Sequence, residues 1–216
     1  MPTLPETPAP FQLIADHVVL DFVNTQDVRV GPGDELDGLP RYRDLLRFSE
    51  ESGLISREET DLLVRKASDY KGDLALLEGL ALRGSLAQVF KKIIEARVLA
   101  ARGEEEAAEP HEVFVNLVAG KAKEAYSARV LDWTGELSAR RLEWTVDRVQ
   151  AQLPVSRLAL AAVDLLTSRD VDQVRTCADP TCGWLFMDRS KNHRRRWCDM
   201  TVCGNRMKAR RFKARE

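Results

Sequence analysis

Cys177-Ala178-Asp179-Pro180-Thr181-Cys182 and, after fifteen intervening residues, Cys198-Asp199-Met200-Thr201-Val202-Cys203 contain every cysteine of the chain. Two close pairs separated by a short polar stretch let one chain close a tetrahedral metal site from two short loops. Four thiolates fill all four positions around Zn(II) and leave none for a substrate, so the expected metal is structural. His193, in the polar stretch between the pairs, is a weaker alternative ligand.

The residues around the cysteines predict how the loops are held. Trp184-Leu185-Phe186-Met187 reads as a strand, Asp188 to Asn192 as a turn, and Arg195 to Trp197 as the returning strand. Beyond Cys203 there is no proline and there are many helix formers, which predicts a terminal helix starting at the second pair. Knuckle, hairpin and a helix bearing the last ligands make a treble-clef-like module. Trp184, Phe186, Trp197, Met207 and Phe212 are its expected core. Asn205, at the helix start, is expected to bond the backbone as a cap. A module of about 40 residues is too small to be held by apolar burial alone, so the metal should contribute most of its folding energy.

Charge divides the chain in the same place. Residues 175–216 carry twelve Lys or Arg against four acids, a net of +8, whereas the rest has a net of -9; together they give the overall -1. Lys191, Arg194, Arg195, Arg196, Arg206, Lys208, Arg210, Arg211 and Lys213 are the candidate nucleic-acid contacts, with Arg215 beyond them. An acidic body joined to a basic module is the footprint of a polyanion partner.

The body, about residues 10–170, is predicted to be mainly helical with a small β element, an α+β domain preceding the module at 171–216. Residues 18–25 fit strand and helix equally well. Gly31-Pro32-Gly33 and Asp37-Gly38 mark a loop. Helices are expected over Pro40–Ser52, from the capping box Ser56-Arg57-Glu58-Glu59 to about Tyr70 with a stop at Gly72, over Asp73–Arg102, and from Pro154 to about Ser168. Glu112 to Gly120 is helix or strand. Arg129–Thr134 and Arg141–Val146 read as a hairpin. No apolar run approaches the ~18 residues of a membrane span. The proline-bearing N-terminus lacks a signal-peptide pattern, so a cytoplasmic protein is expected. No phosphate loop, nucleophile elbow or His-Glu metal motif occurs, and an enzyme is not expected. Asp21, Asn24, Thr25 and Arg29 form either a ligand site or a structural hydrogen-bond network.

Trp197-Cys198-x4-Cys203-Gly204-Asn205-Arg206, with Lys208-Ala209 and a basic end, resembles the CGNR zinc-finger family. Leu20-Asp21-Phe22-Val23-Asn24-Thr25 with Arg29 resembles the start of the ABATE domain that precedes this finger. The resemblance implies an ABATE-like domain at 10–170, a CGNR finger at 171–216, and a stress-induced transcription regulator. A DNA partner follows, with a small-molecule effector and a homodimer both compatible. A protein-interaction adaptor or an RNA-binding protein using the basic module is the competing reading.

Overall fold

The computed structural model describes residues 9–27, 36–104, 109–134, 140–146 and 150–214. Arg29, Arg215 and the Gly31-Pro32-Gly33 loop lie outside these residues.

The ambiguous segment near the start is a helix, α1 (Val18–Val23), whose N-cap His17 accepts from the Val19 N–H through Nδ1. Asp16 adopts a left-handed φ of 60°, which turns the chain so that Asp21 Oδ1 accepts the Ala15 N–H at 2.9 Å. Val19, Leu20 and Phe22 are fully buried, so the apolar run that composition could not assign is a short, enclosed helix. The pair β1 (Gln26–Asp27) and β2 (Leu36–Asp37) is antiparallel.

Helix α2 (Tyr42–Glu51) buries Leu45, Leu46 and Phe48, and Phe48 stacks edge-on with Phe11 at 5.3 Å. Helix α3 (Arg57–Lys66) begins with the expected capping box, in which Ser56 and Glu59 each satisfy the other's N–H. It ends at Lys66 rather than near Tyr70, because Ser68 caps a new helix by accepting from Lys71 N–H. That helix, α4 (Asp69–Ala101), runs straight through Gly72, where a stop was expected. A Cβ on Gly72 would sit 2.8 Å from the Tyr42 ring; the glycine is a contact point between α4 and α2.

The apolar stretch from Glu112 is also a helix, α5 (Glu112–Ser127), with Val118, Ala122 and Ala125 buried on one face. Strands β3 (Arg129–Thr134) and β4 (Arg141–Val146) form the expected antiparallel hairpin. Helix α6 (Leu153–Thr167) carries Pro154 in its first turn, as expected, and buries Val155, Leu158, Ala159, Ala162 and Leu165. Arg157 on α6 grips the Glu59 carboxylate with both nitrogens, at 2.7 and 2.6 Å. The result is a mainly helical body, and none of its described helices is long and apolar enough to cross a membrane.

The C-terminal part departs from expectation in its strand pairing. Strand β6 (Leu185–Met187) pairs with β5 (Val174–Thr176), upstream of the first cysteine. Arg195–Trp197 is not a strand. Its backbone is diverted, with Arg195 N–H donating to Asp188 Oδ2 at 3.0 Å and Arg196 C=O accepting from Ala178 N–H. Helix α7 (Asn205–Lys213) closes the described chain, preceded by a π-helical turn over Met200–Gly204.

This part has no separate core. Trp184, Phe186 and Met187 belong to one continuous apolar cluster with Val19, Leu20, Phe22 and Leu158. Phe212, expected inside, is 68% exposed, and Trp197 is only half-buried. Polar contacts cross the seam as well, and Met187 N–H donates to Ala15 C=O at 2.9 Å. Asn24 donates through Nδ2 to Leu185 C=O at 2.8 Å and accepts Leu185 N–H through Oδ1 at 2.9 Å. Asn24→Ala would leave both buried backbone groups unpaired and should lower stability by ~2–4 kcal/mol in denaturant unfolding. Asn24→Asp should not rescue it, because a carboxylate cannot donate to the carbonyl.

Candidate metal centre and its surround

The second cysteine of each pair is delivered by a turn that an acidic side chain ties. Asp179 Oδ1 accepts from Thr181 N–H at 3.1 Å and from its hydroxyl at 2.9 Å, and Cys182 N–H returns to Asp179 C=O. Asp199 Oδ1 does the same before Cys203, accepting from Thr201 N–H, Thr201 hydroxyl and Val202 N–H. Asp188 ties the intervening turn through Ser190. The shared Asp-x-Ser/Thr pattern is an Asx-turn signal. The turn at Asp188–Asn192 was expected from the sequence, whereas the same signal at Asp179 and Asp199 is masked by the cysteine spacing around it.

These turns bring the four Sγ atoms of Cys177, Cys182, Cys198 and Cys203 within 4.8 Å of one another, all in buried residues. Cys182 and Cys198 lie 3.5 Å apart, and Cys198 and Cys203 3.7 Å. A tetrahedron with Zn–S bonds of ~2.3 Å has edges of about 3.8 Å, so the sulfurs already hold the dimensions that zinc requires. None is in a disulfide. The cluster is also electrostatically asymmetric. Hydrogen bonds from Cys182 and Cys198 hold the Cys177 thiol below its ordinary value, and the contact with Cys177 pushes Cys182 up. Cys198 is raised as well, by its bonds to Cys177 and Cys182. Four thiolates this close repel unless a divalent cation sits among them. The residues therefore fit a structural zinc, held by four sulfurs in a closed coordination sphere. His193 stays outside it, its Nδ1 2.9 Å from Asp188 C=O.

The nine candidate nucleic-acid residues fall into two groups. Arg195 turns inward, donating to Asp16 at 2.7 Å, to Ile14 C=O at 3.3 Å and to Cys198 C=O, with its guanidinium 4.7 Å from the Phe186 ring centre. Arg206 and Arg210 both reach the fully buried Asp179 carboxylate at 3.3 Å. Burial pushes that carboxyl up, but the Thr181 bonds and the two arginines outweigh it and hold it below the usual range. Lys191, Arg194, Arg196, Lys208, Arg211 and Lys213 face solvent. Asn205 does not cap α7 as expected; it donates instead to Thr201 C=O at 2.9 Å, and the side chain that bonds the free N–H groups belongs to Asp199.

In the body, Asp21, Asn24 and Thr25 are brought together and buried. Thr25 Oγ1 accepts from Arg83 at 3.0 Å, and Arg83 forms a two-pronged pair with Asp37 at 2.8 and 2.6 Å. Arg83 was not singled out in the sequence, and Asp37, read with Gly38 as a loop signal, instead closes strand β2, 46 residues from its partner. A cleft of about 250 Å³ opens at this network, lined by Asp21, Asn24, Thr25, Asp37, Phe11 and Trp184, so residues of both halves meet in it.

Residues 16–169 match the ABATE family, described as "Putative stress-induced transcription regulator", and residues 173–216 match the CGNR zinc finger. No curated protein matches the chain.

Two measurements follow from this geometry. The purified chain should carry one zinc by elemental analysis. Chelation should abolish the near-ultraviolet signal of Trp184, and Cys182→Ser should reproduce the loss. Separately, burial raises the Asp21 carboxyl from 3.8 to about 6. The stability linked to its proton is complete below 3.8 and is lost as pH rises through about 6. Relative to the parent chain, Asp21→Asn should thus gain ~2 kcal/mol across that window in pH-dependent denaturation.

Proposed function

The chain belongs to the ABATE family and ends in a CGNR zinc finger, and from that premise we propose a DNA-binding transcription regulator in which the finger contacts the duplex. The supporting observation is the charge left over after internal pairing. Lys191, Arg194 and Arg196 on the loop between the knuckles, and Lys208, Arg211 and Lys213 on α7, point into solvent beside the metal centre. The one acid interspersed among them, Asp199, is engaged by Thr201 and Val202. Six exposed cations on one small module match a phosphate backbone better than they match the needs of folding, which Arg195, Arg206 and Arg210 already serve.

The body supplies the second half of the proposal. The cleft at Asp21, Asn24 and Thr25 touches Trp184, so a small effector bound there would contact body and finger at once. Such a ligand shifts the finger only as far as it prefers one arrangement of that seam. A protein of this kind works in the cytoplasm and performs no catalysis of its own; its metal has no position left for a substrate.

Affinity for duplex DNA should fall steeply with rising salt. Replacing Arg194, Arg196, Lys208 and Arg211 together by Ala should reduce the slope of log K against log salt by ~3–4. Arg195→Ala should behave differently, lowering stability as well as affinity. A chain that retains no duplex at low salt would leave the adaptor reading, and preference for single-stranded RNA would shift the partner.

A further inference from the structure

The hairpin β3–β4 carries an apolar face that is left open among the described residues. Trp133 and Trp144 are 62% and 60% exposed, and Leu131 and Leu142 are 51% and 50% exposed. The register pairs Leu131 with Trp144 and Trp133 with Leu142, so all four share one side of the sheet. At the hairpin's base Arg129 lies 5.3 Å from the Trp144 ring centre and 5.9 Å from that of Tyr126, which orients the face relative to α5. Among the described residues the two strands pair only with each other. An isolated two-stranded hairpin is marginal in water, and tryptophans are seldom left this open without a partner.

We propose that this face is a homodimer interface, packed face to face against the same hairpin of a second copy about a twofold axis. The pattern of the side chains singles out that occupant. Large and small residues form a checkerboard, with the tryptophans on one diagonal and the leucines on the other. A twofold axis in the plane of contact, whether along the strands or across them, sets every Trp against a partner Leu. Large opposite small is the arrangement that interdigitates without voids. An isologous contact of this kind is self-complementary by construction.

The area agrees. A tryptophan can bury up to ~250 Å², so these two rings keep roughly 300 Å² in water. The leucines and the surrounding hairpin backbone extend the patch toward the ~800 Å² per partner of a standard interface. The inference goes beyond the DNA-binding reading and does not rest on it; its readout is self-association alone.

Sedimentation of the full zinc-loaded chain across a range of concentrations tests the proposal. The parent chain should be dimeric, and Trp133→Ser with Trp144→Ser should raise the dimer dissociation constant at least ~100-fold. Zinc content and far-ultraviolet dichroism should be unchanged. Trp133→Phe with Trp144→Phe should still dimerise, since the large-against-small pattern survives. A second measurement needs no variant: tryptophan emission of the parent chain should shift to the red on dilution as the rings enter water. A parent chain that is monomeric at every concentration, a serine variant as dimeric as the parent, or emission indifferent to dilution would overturn the assignment.

Discussion

One side-chain amide pairs the sheet edge of the finger with the body. Asn24 meets both backbone groups of Leu185, taking the place that a neighbouring strand would occupy on the free edge of β6. On its other edge β6 has β5, so its buried polar groups are paired although the sheet has only two strands. That pairing lets Trp184, Phe186 and Met187 enter the same apolar cluster as α1 and α6. The finger thus uses the body's core instead of building its own. Zinc organises the knuckles, while the body supplies the burial that about 40 residues cannot. The two contributions are linked, because the cysteine that starts the first knuckle, Cys177, bonds Trp184 C=O immediately beside the Asn24 contact.

The same economy governs the arginines. Arg97 on α4 donates to the carbonyls of Val171 and Val174, at 3.1 and 2.8 Å, and fastens the chain entering β5. Arg195 bridges the metal loop and the N-terminal segment; Arg206 and Arg210 hold α7 to the first knuckle. Guanidinium groups suit this work because their planar fork serves several acceptors while keeping its charge. Arg206 and Arg210 are four residues apart and share one side of α7. Anchoring that side fixes the direction in which Lys208 and Arg211 project. The internal pairs therefore orient the cations that remain free.

Cysteine spacing made the metal centre legible, because four ligands around one ion is a constraint that survives any uncertainty in secondary structure. The capping box at Ser56, the first-turn proline at 154 and the hairpin at 129–146 were equally local signals, and each was readable. What escaped was set by distant partners. Gly72 reads as a helix stop until the Tyr42 ring is placed against it. Trp184–Met187 reads as half of a hairpin with Arg195–Trp197, because that is the segment that follows the turn at Asp188–Asn192; the true partner, Val174–Thr176, lies before the first cysteine. Arg83 and Asp37 are 46 residues apart. Phe212 looks like core by composition alone, but it lies 68% exposed on α7.

Rigid attachment gives the proposed dimer its physical consequence. A finger on a flexible linker samples many orientations, and a second finger then adds little beyond a raised local concentration. Here the finger shares a core with the body, and the hairpin is tied to the end of α5 by Arg129 stacked on Tyr126 and Trp144. Two copies joined through the hairpins would hold their basic faces at one fixed separation and orientation. Single modules of this size bind nucleic acid weakly, whereas a fixed pair binds strongly only where two half-sites have the matching spacing. Selectivity then comes from the geometry between fingers as well as from the residues on them. Anything that disturbs the Asn24–Leu185 seam, including a ligand in the adjoining cleft, alters that separation and acts on both fingers together.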